Sequence, residues 1–378
     1  MLGRLSLPSV AVSDMRQPTL PGGVDPPFWH GRRVLVTGHT GFKGAWLSLW
    51  LQQLGAEVTG LSDGVPTTPS LFESARVQDG LSHVVVDVRD AAAVASAVAA
   101  SRPEVVVHMA AQPMVRRSFS APRETYETNV MGTVNVLDAV RTAGAESVRA
   151  VVNVTSDKCY DNREQGRPFV EDDPMGGHDP YSNSKGCAEL VADAYRRSFF
   201  GGADDGPRLA SARAGNVIGG GDWGEDRLVP DIMRAAAAGT PIAIRNPEAV
   251  RPWQHVLNPL SGYLLIAQQL MGADRVAAAA GWNFGPSQAD VRPVGWVTDR
   301  LAERWPEPLR WAVAAGPHPY EAQFLSLDST RARERLGWRP RWDLERTIES
   351  IVAWHLAHRD GADMRALTLE QIEEFSAS

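Results

Sequence analysis

The sequence predicts an α/β protein, a doubly wound parallel sheet with a smaller mixed α/β C-terminal lobe, and three observations carry that expectation. Short β-branched runs alternate with helical stretches through about residue 215. These runs are apolar throughout, as strands buried on both faces of a parallel sheet are. A glycine-rich turn joins the first run to the first helix, at the edge where open α/β sheets hold ligands.

Taken in order, the first strand is expected at Arg33–Thr37 and the first helix at Ala45–Leu54. Further strands are expected at Glu57–Leu61, His83–Val86, Glu104–His108, Ala150–Thr155 and Arg208–Arg213. Each gap between them is long enough for the crossover that parallel pairing requires. Helices are expected around Thr125–Ala143 and Tyr181–Phe199, the second with Pro180 in its first turn and Asp179 as its cap. After Asn216 the rhythm breaks at Gly219-Gly220-Gly221-Asp222-Trp223, and tryptophans concentrate beyond it. Residues 1–30, proline-rich and without periodicity, read as a flexible extension. The doubly wound domain is expected over 31–215, the lobe mainly over 216–360, and a tail over 361–378.

The chain has 378 residues, and 38 Lys and Arg against 45 Asp and Glu give a net charge of −7. That balance argues against nucleic acid as a partner. No apolar run reaches the ~18 residues of a membrane helix, so no membrane partner is expected. The N-terminus lacks the charged-then-apolar order of a secretory signal. Cys159 and Cys187 have neither metal-ligand spacing nor a paired histidine, so they read as packing residues, with no metal and a reducing, cytoplasmic setting.

The glycine turn reads Thr37-Gly38-His39-Thr40-Gly41-Phe42-Lys43-Gly44. Glycines at 38, 41 and 44 permit a tight turn, close backbone approach to a pyrophosphate and close helix–sheet contact, while the helix N-terminus offers free N–H groups. An ordinary glycine-rich βα turn is the plainer alternative. Asp63 lies 19 residues beyond Gly44, where a carboxylate can hold an adenosine ribose, and Ser62 can share that position. Asp87-Val88 follows the third strand, where it can meet an adenine amino group. No arginine stands near Asp63 in sequence to take a 2′-phosphate, so NAD is favoured over NADP.

The second constellation is Tyr181-Ser182-Asn183-Ser184-Lys185. Spacing of four puts Tyr181 and Lys185 on one helix face, where an ammonium would pull the phenol down toward working pH. Such a tyrosine takes a proton from a hydroxyl while hydride leaves the same carbon. Upstream, Ser156 stands at the end of a strand, positioned to bind the same oxygen, and Asp157 and Lys158 add two ionisable groups.

These motifs, with His108-Met109-Ala110-Ala111-Gln112 and Thr128-Asn129, resemble the extended short-chain dehydrogenase/reductase family, and within it the nucleotide-sugar 4,6-dehydratases. The nearer likeness rests on the glycine turn, Thr155-Ser156-Asp157-Lys158-Cys159-Tyr160, the run Arg213–Trp223, and Arg251-Pro252-Trp253-Gln254-His255-Val256, and it spans about residues 30 to 358. The resemblance implies a Rossmann domain in which Ala110, Ala111, Gln112 and Thr128 join the glycine turn in holding NAD, and a CDP-sugar as substrate. It implies that Tyr181 deprotonates the C4 hydroxyl and Asp157 protonates the departing C6 hydroxyl. Where dTDP-glucose dehydratases carry Thr-Asp-Glu, this chain has Ser156-Asp157-Lys158, which makes Lys158 the candidate for the C5 base and leaves that base open. Asn216 and Arg251 are implied as pyrophosphate contacts, and Arg227, ahead of Leu228-Val229-Pro230, reads either as a further contact or as a surface residue. Trp253, like Trp223, is placed either to stack on the nucleoside or to pack. A homodimer or homotetramer is implied through Val130, Val134, Leu137, Leu190, Val191 and Ala194. A nucleotide-sugar epimerase and a non-catalytic NAD-binding regulator share this scaffold. Asp157-Lys158 speaks against the first, and the intact Tyr181–Lys185 pair against the second.

Overall fold

The computed structural model describes residues 23–201, 206–316 and 322–378. Strands β1 (Arg33–Thr37), β2 (Glu57–Ser62), β3 (Ser82–Val85), β4 (Val105–His108), β5 (Ala150–Val154) and β6 (Arg208–Ala214) lie within a residue or two of their expected places. With β7 (Asn216–Ile218), β8 (Ile242–Ile244), β9 (Val250–His255) and β10 (Gly281–Phe284) they supply the main sheet, ordered β10-β6-β5-β4-β1-β2-β3 and parallel throughout, and part of the lobe. The order reverses between β1 and β4, where Leu35 stands opposite Val106 on one side and Thr59 on the other. That reversal opens the crevice in which doubly wound sheets bind ligands.

Alternation along the strands divides the core. Val34, Val36, Val105, Val107 and Val152 face one layer, under the helices Phe42–Gln53, Leu257–Leu270 and Met364–Ala377, while Leu35, Val106, Val151 and Leu209 face the other, under Ala91–Ser101, Gly132–Thr142 and Pro180–Ser198. Each such buried side chain is worth roughly 1.5–3 kcal/mol, so the strand edges that carry the site rest on a stiff platform. The lobe has its own core, including Ile218, Ile232, Ile244, Trp253, Val297 and Ile348. It carries a sheet in which β9 pairs in parallel with β7 and antiparallel with β11 (Val291–Pro293), and a two-stranded sheet of β8 with β12 (Trp311–Val313).

The expected boundaries shift in three places. Residues 1–22 of the expected extension lie outside the described residues. Its last part is packed structure: Pro26–Trp29 is a helical turn, Trp29 is fully buried, and its indole donates to Gln268 Oε1 at 2.9 Å. A four-residue turn is too short to show periodicity, so nothing in the sequence marked it. The expected tail folds as the helix Met364–Ala377, which buries Met364, Ile372 and Phe375 in the main core. Finally, β10 and the helix Leu257–Leu270 belong to the main sheet although they follow residue 215, because the sheet's outer edge needs a strand and its face a cover. No helix among the described residues is long and apolar enough to cross a membrane.

Candidate active site

The glycine turn leaves β1 at Thr37 and enters the helix Phe42–Gln53 with Gly41 as N-cap, so the helix starts three residues earlier than expected and Phe42, Lys43 and Gly44 form its first turn. Gly38 has φ +73°, and a Cβ there would stand 2.8 Å from the backbone of Ala110. At Gly44 a Cβ would fall 2.1 Å from the Gly38 carbonyl oxygen. Only glycine closes this turn against the end of β4, and the closure leaves the amides of the first helical turn facing the crevice without intrahelical partners. Thr37 Oγ1 accepts from the amides of Met109 and Ala110, both at 3.1 Å, and is 2.7 Å from His108 Nδ1. Thr40 donates to the Gly64 carbonyl at 2.6 Å and lies 2.7 Å from the Ser62 hydroxyl, tying the turn to the loop after β2. This cradle, shaped by positions where a methyl group cannot fit, suits the pyrophosphate of NAD, with Gly38, Thr40, Gly41, Phe42, Lys43 and Gly44 around it.

On the adenosine side, Asp63 is exposed just past β2, open to a ribose. Asp87 is occupied: Arg89 donates to it from Nε at 2.8 Å and its backbone amide at 2.8 Å. Burial opposes the ionised form of Asp87, but these bonds hold its carboxyl below the ordinary range. Arg89, on the loop after β3, is bonded to Asp87, and the charges of Glu124 and Asp63 favour its guanidinium more weakly. Val88 is buried beneath, against Gly132.

Beyond β4, Ala110 and Ala111 line the crevice edge, and Gln112 is fixed from both ends. Its amide donates to Asn129 Oδ1 at 2.8 Å, and its side chain donates to Thr125 Oγ1 at 2.9 Å. Asn129 also donates to the Ser184 hydroxyl at 2.9 Å, joining this loop to the helix that carries Tyr181. Asn129 and Thr128 sit in a π-helical turn, Glu127–Met131, which interrupts the expected helix and turns Asn129 inward. Such turns recur at functional sites.

Tyr181 and Lys185 lie in the helix Pro180–Ser198, capped as expected by Asp179, whose carboxylate accepts from the Ser182 amide at 2.9 Å. The expected depression of the phenol by Lys185 is not what the geometry provides. Burial raises Tyr181 to about 12, and the groups that pull it back are the Ser156 hydroxyl, through a hydrogen bond, and the Arg227 charge. The same burial lowers Lys185 to about 8, with Glu189 and Cys159 acting in the opposite sense. Helical spacing brings the two groups together, but desolvation of both governs their charge.

Ser156, Asp157 and Lys158 follow β5 in a short helical turn, Asp157–Cys159. The Ser156 hydroxyl donates to Asp157 Oδ1 at 2.9 Å, and Lys158 Nζ stands 3.5 Å from the same oxygen. Asp157 is 1% exposed, and its Oδ2 is buried without a hydrogen-bond partner. A carboxyl with one oxygen engaged and the other free, beside a tyrosine, is arranged to exchange a proton with a substrate.

Among the expected substrate contacts, Arg227 stands near Tyr181 and Lys43, where its charge is felt, and Asp222 holds it with both oxygens at 3.0 and 3.1 Å. Asn216 leaves Oδ1 buried and without a partner. Arg251 lies on β9 with its guanidinium donating to the Val250 carbonyl at 2.9 Å. Of the two readings of Trp253, as a substrate contact that stacks or as a packing residue, the structure supports packing. Trp253 is 3% exposed, packs in the lobe interior, and gives its indole N–H to the Arg292 carbonyl at 2.9 Å.

Sequence reasoning passed over Tyr263 and Glu189, and gave Asn129 and Arg213 no role beyond their place in motifs. Lys43 Nζ donates to the buried Tyr263 hydroxyl at 2.9 Å, and burial, then the charges of Lys185 and Arg227, lower Lys43 to about 7. Tyr263 lies within an apolar helix and carries no motif, so only its contact identifies it.

A family profile described as GDP-mannose 4,6 dehydratase matches residues 35–351. The chain is 50% identical over 358 residues to a CDP-glucose 4,6-dehydratase of Salmonella typhimurium, covering 94% of this chain and 99% of that one. It is 30% identical over 323 residues to a UDP-glucose 4-epimerase of Mycolicibacterium smegmatis, covering 85% and 97%. Among solved structures, the Thermus thermophilus UDP-glucose 4-epimerase in complex with NAD superposes with a TM-score of 0.73 at 26% identity, covering 86% of this chain and 99% of that one.

Proposed function

The chain belongs to the GDP-mannose 4,6 dehydratase family, and from that membership we propose that it is a CDP-glucose 4,6-dehydratase, an NAD-dependent lyase that converts CDP-D-glucose into CDP-4-keto-6-deoxy-D-glucose and water. The observation that carries this reading over an epimerase is Asp157 Oδ2, free and buried beside Tyr181. An epimerase keeps the C6 hydroxyl in place and has no use for that acid.

Bound NAD supplies the acceptor for hydride from C4 and the donor of hydride to C6. The chain handles the protons. Tyr181, hydrogen-bonded by Ser156, takes the proton of the C4 hydroxyl as that carbon is oxidised. The C4 ketone acidifies the C5 hydrogen, and Lys158 takes that proton and gives one back to C5 when hydride reaches C6. Asp157, with Oδ1 engaged by Ser156 and Lys158, delivers a proton from Oδ2 to the C6 hydroxyl, which leaves as water. Asn216, Arg227 and Arg251 are the groups assigned to the substrate pyrophosphate, for which arginine's planar fork is suited.

The reading includes a dimer or tetramer and a cytoplasmic setting. Leu190, Phe199, Met131 and Tyr126 are exposed on neighbouring helices, at 62%, 53%, 50% and 36%, with Val130, Val134 and Val191 half-buried beside them, although Leu137 is spent in the protein's own core. An apolar face of this kind supports pairing with a second copy. Both cysteines are free thiols, which supports a reducing compartment. Incubation with CDP-, dTDP- and UDP-glucose, followed by the alkali-induced absorbance of a 4-keto sugar, tests the function. Product from CDP-glucose is expected, and its absence there with product from another sugar nucleotide overturns the substrate.

A further inference from the structure

We propose that Glu189 is a positioning residue of the active site, holding both ends of the turn that carries Ser156, Asp157 and Lys158 through Thr155 on one side and an Arg213–Tyr160 link on the other. The inference rests on the catalytic roles given above to that turn and to Tyr181.

Glu189 lies one helical turn beyond Lys185 and is 4% exposed. One carboxylate oxygen accepts the Thr155 hydroxyl, and the other accepts Arg213 Nη2 at 2.8 Å. Thr155 immediately precedes Ser156. Arg213, on β6, uses Nη1 to donate to the Tyr160 hydroxyl at 2.8 Å, and Tyr160 closes the same turn at its far end. Tyr160 in turn donates to Asn283 Oδ1 at 2.6 Å, on β10. Thr155, Tyr160, Arg213 and Asn283 are all buried. Backbone bonds fix the turn's two flanks, from the Thr155 amide to the Ala212 carbonyl at 2.9 Å and from the Gly176 amide to the Cys159 carbonyl at 2.8 Å, while within it one backbone bond closes, from the Cys159 amide to the Ser156 carbonyl at 3.2 Å. The side chains of Thr155 and Tyr160 are held in addition by a carboxylate and a guanidinium that face each other away from water, where such bonds are strong and unforgiving of loss.

The charge matters as well as the bonds. Burial would raise the Glu189 carboxyl, but Arg213 and the Thr155 hydroxyl carry it below the ordinary range, so it is an anion. The groups facing Lys185 are Glu189 and Tyr181 on its own helix, Cys159 on the turn, Lys43 on the first helix and His108 at the end of β4. Glu189 is the carboxylate among them that favours the Lys185 ammonium.

Glu189→Gln keeps the shape and removes the charge. The expected result is a folded protein with kcat down about 10- to 100-fold, KM for CDP-glucose within twofold, and the alkaline limb of kcat moved about one pH unit lower. A residue that merely stabilises the fold would lower the melting temperature and leave kcat and the pH limb of the folded protein unchanged, which overturns the proposal. Thr155→Val removes one anchor and leaves the ion pair, so it serves if Glu189→Gln fails to fold. It should lower kcat about tenfold without moving the limb, and wild-type kcat there overturns the clamp. If wild-type protein makes no 4-keto sugar, the catalytic reading fails instead, so the two failures are distinct.

Discussion

The Ser156 hydroxyl donates to Asp157 Oδ1 at 2.9 Å, and Asp157 Oδ2, shielded from solvent, has no hydrogen-bond partner among the described residues. Ser156 is also the first of the groups that draw the buried Tyr181 phenol back down. On the roles proposed above, Tyr181 serves the oxidation and Asp157 the elimination.

Tyr181→Phe removes the acceptor of the C4 proton, so oxidation and elimination should fail together, with a loss of roughly 10²–10⁴ in rate. Asp157→Asn should leave oxidation standing and stop the loss of water, so that reduced nicotinamide absorbance accumulates on the enzyme. If Asp157→Asn blocks that absorbance as fully as Tyr181→Phe does, Asp157 serves oxidation and its assignment as the acid is wrong.

Lys158→Met should remove the C5 base. Solvent deuterium should then enter C5 of the recovered sugar slowly or not at all, while reduced nicotinamide again builds up. Deuterium incorporation at the wild-type rate would transfer the role to another group.

Cofactor choice follows from Arg89. Its guanidinium is committed to Asp87, so NAD should bind more tightly than NADP. Asp87→Ala frees that guanidinium, and NADP affinity should rise roughly tenfold, about 1.4 kcal/mol, by titration calorimetry. Equal binding of both cofactors by the wild-type protein contradicts this account.

Acid should destabilise the fold before it protonates most carboxylates. Burial lowers His39 to about 4 and His108, His255 and His355 to about 3. Below the unfolded value of about 6.5, the unfolded chain binds protons that the folded chain refuses, so stability falls as pH drops toward 4. Each histidine contributes on the order of 1.4 kcal/mol per pH unit in that window. Urea midpoints should decline steadily from pH 6.5 to 5, and a flat profile there would show that these rings accept protons in the fold.

The exposed face around Leu190 and Phe199 should make the protein at least a dimer. Leu190→Glu should shift light scattering toward the 41.0 kDa monomer while leaving far-ultraviolet dichroism intact. A wild-type monomer at micromolar concentration contradicts the assembly.

The strands, the glycine turn, the Asp179 cap and the Tyr181–Lys185 spacing were legible in the sequence, because each depends on residues close together in the chain. Apolar runs reveal a strand buried on two faces, and a spacing of four reveals a shared helix face. Tertiary structure alone decided that Trp253 packs inward, that Tyr263 meets Lys43, and that Glu189 and Arg213 grip the turn after β5. It also decided the charges, raising Tyr181 and lowering Lys185 where spacing alone suggested a depressed phenol. Covalent order sets which groups share a turn. Strand order sets which distant groups become neighbours, and the water excluded between them sets how each is charged.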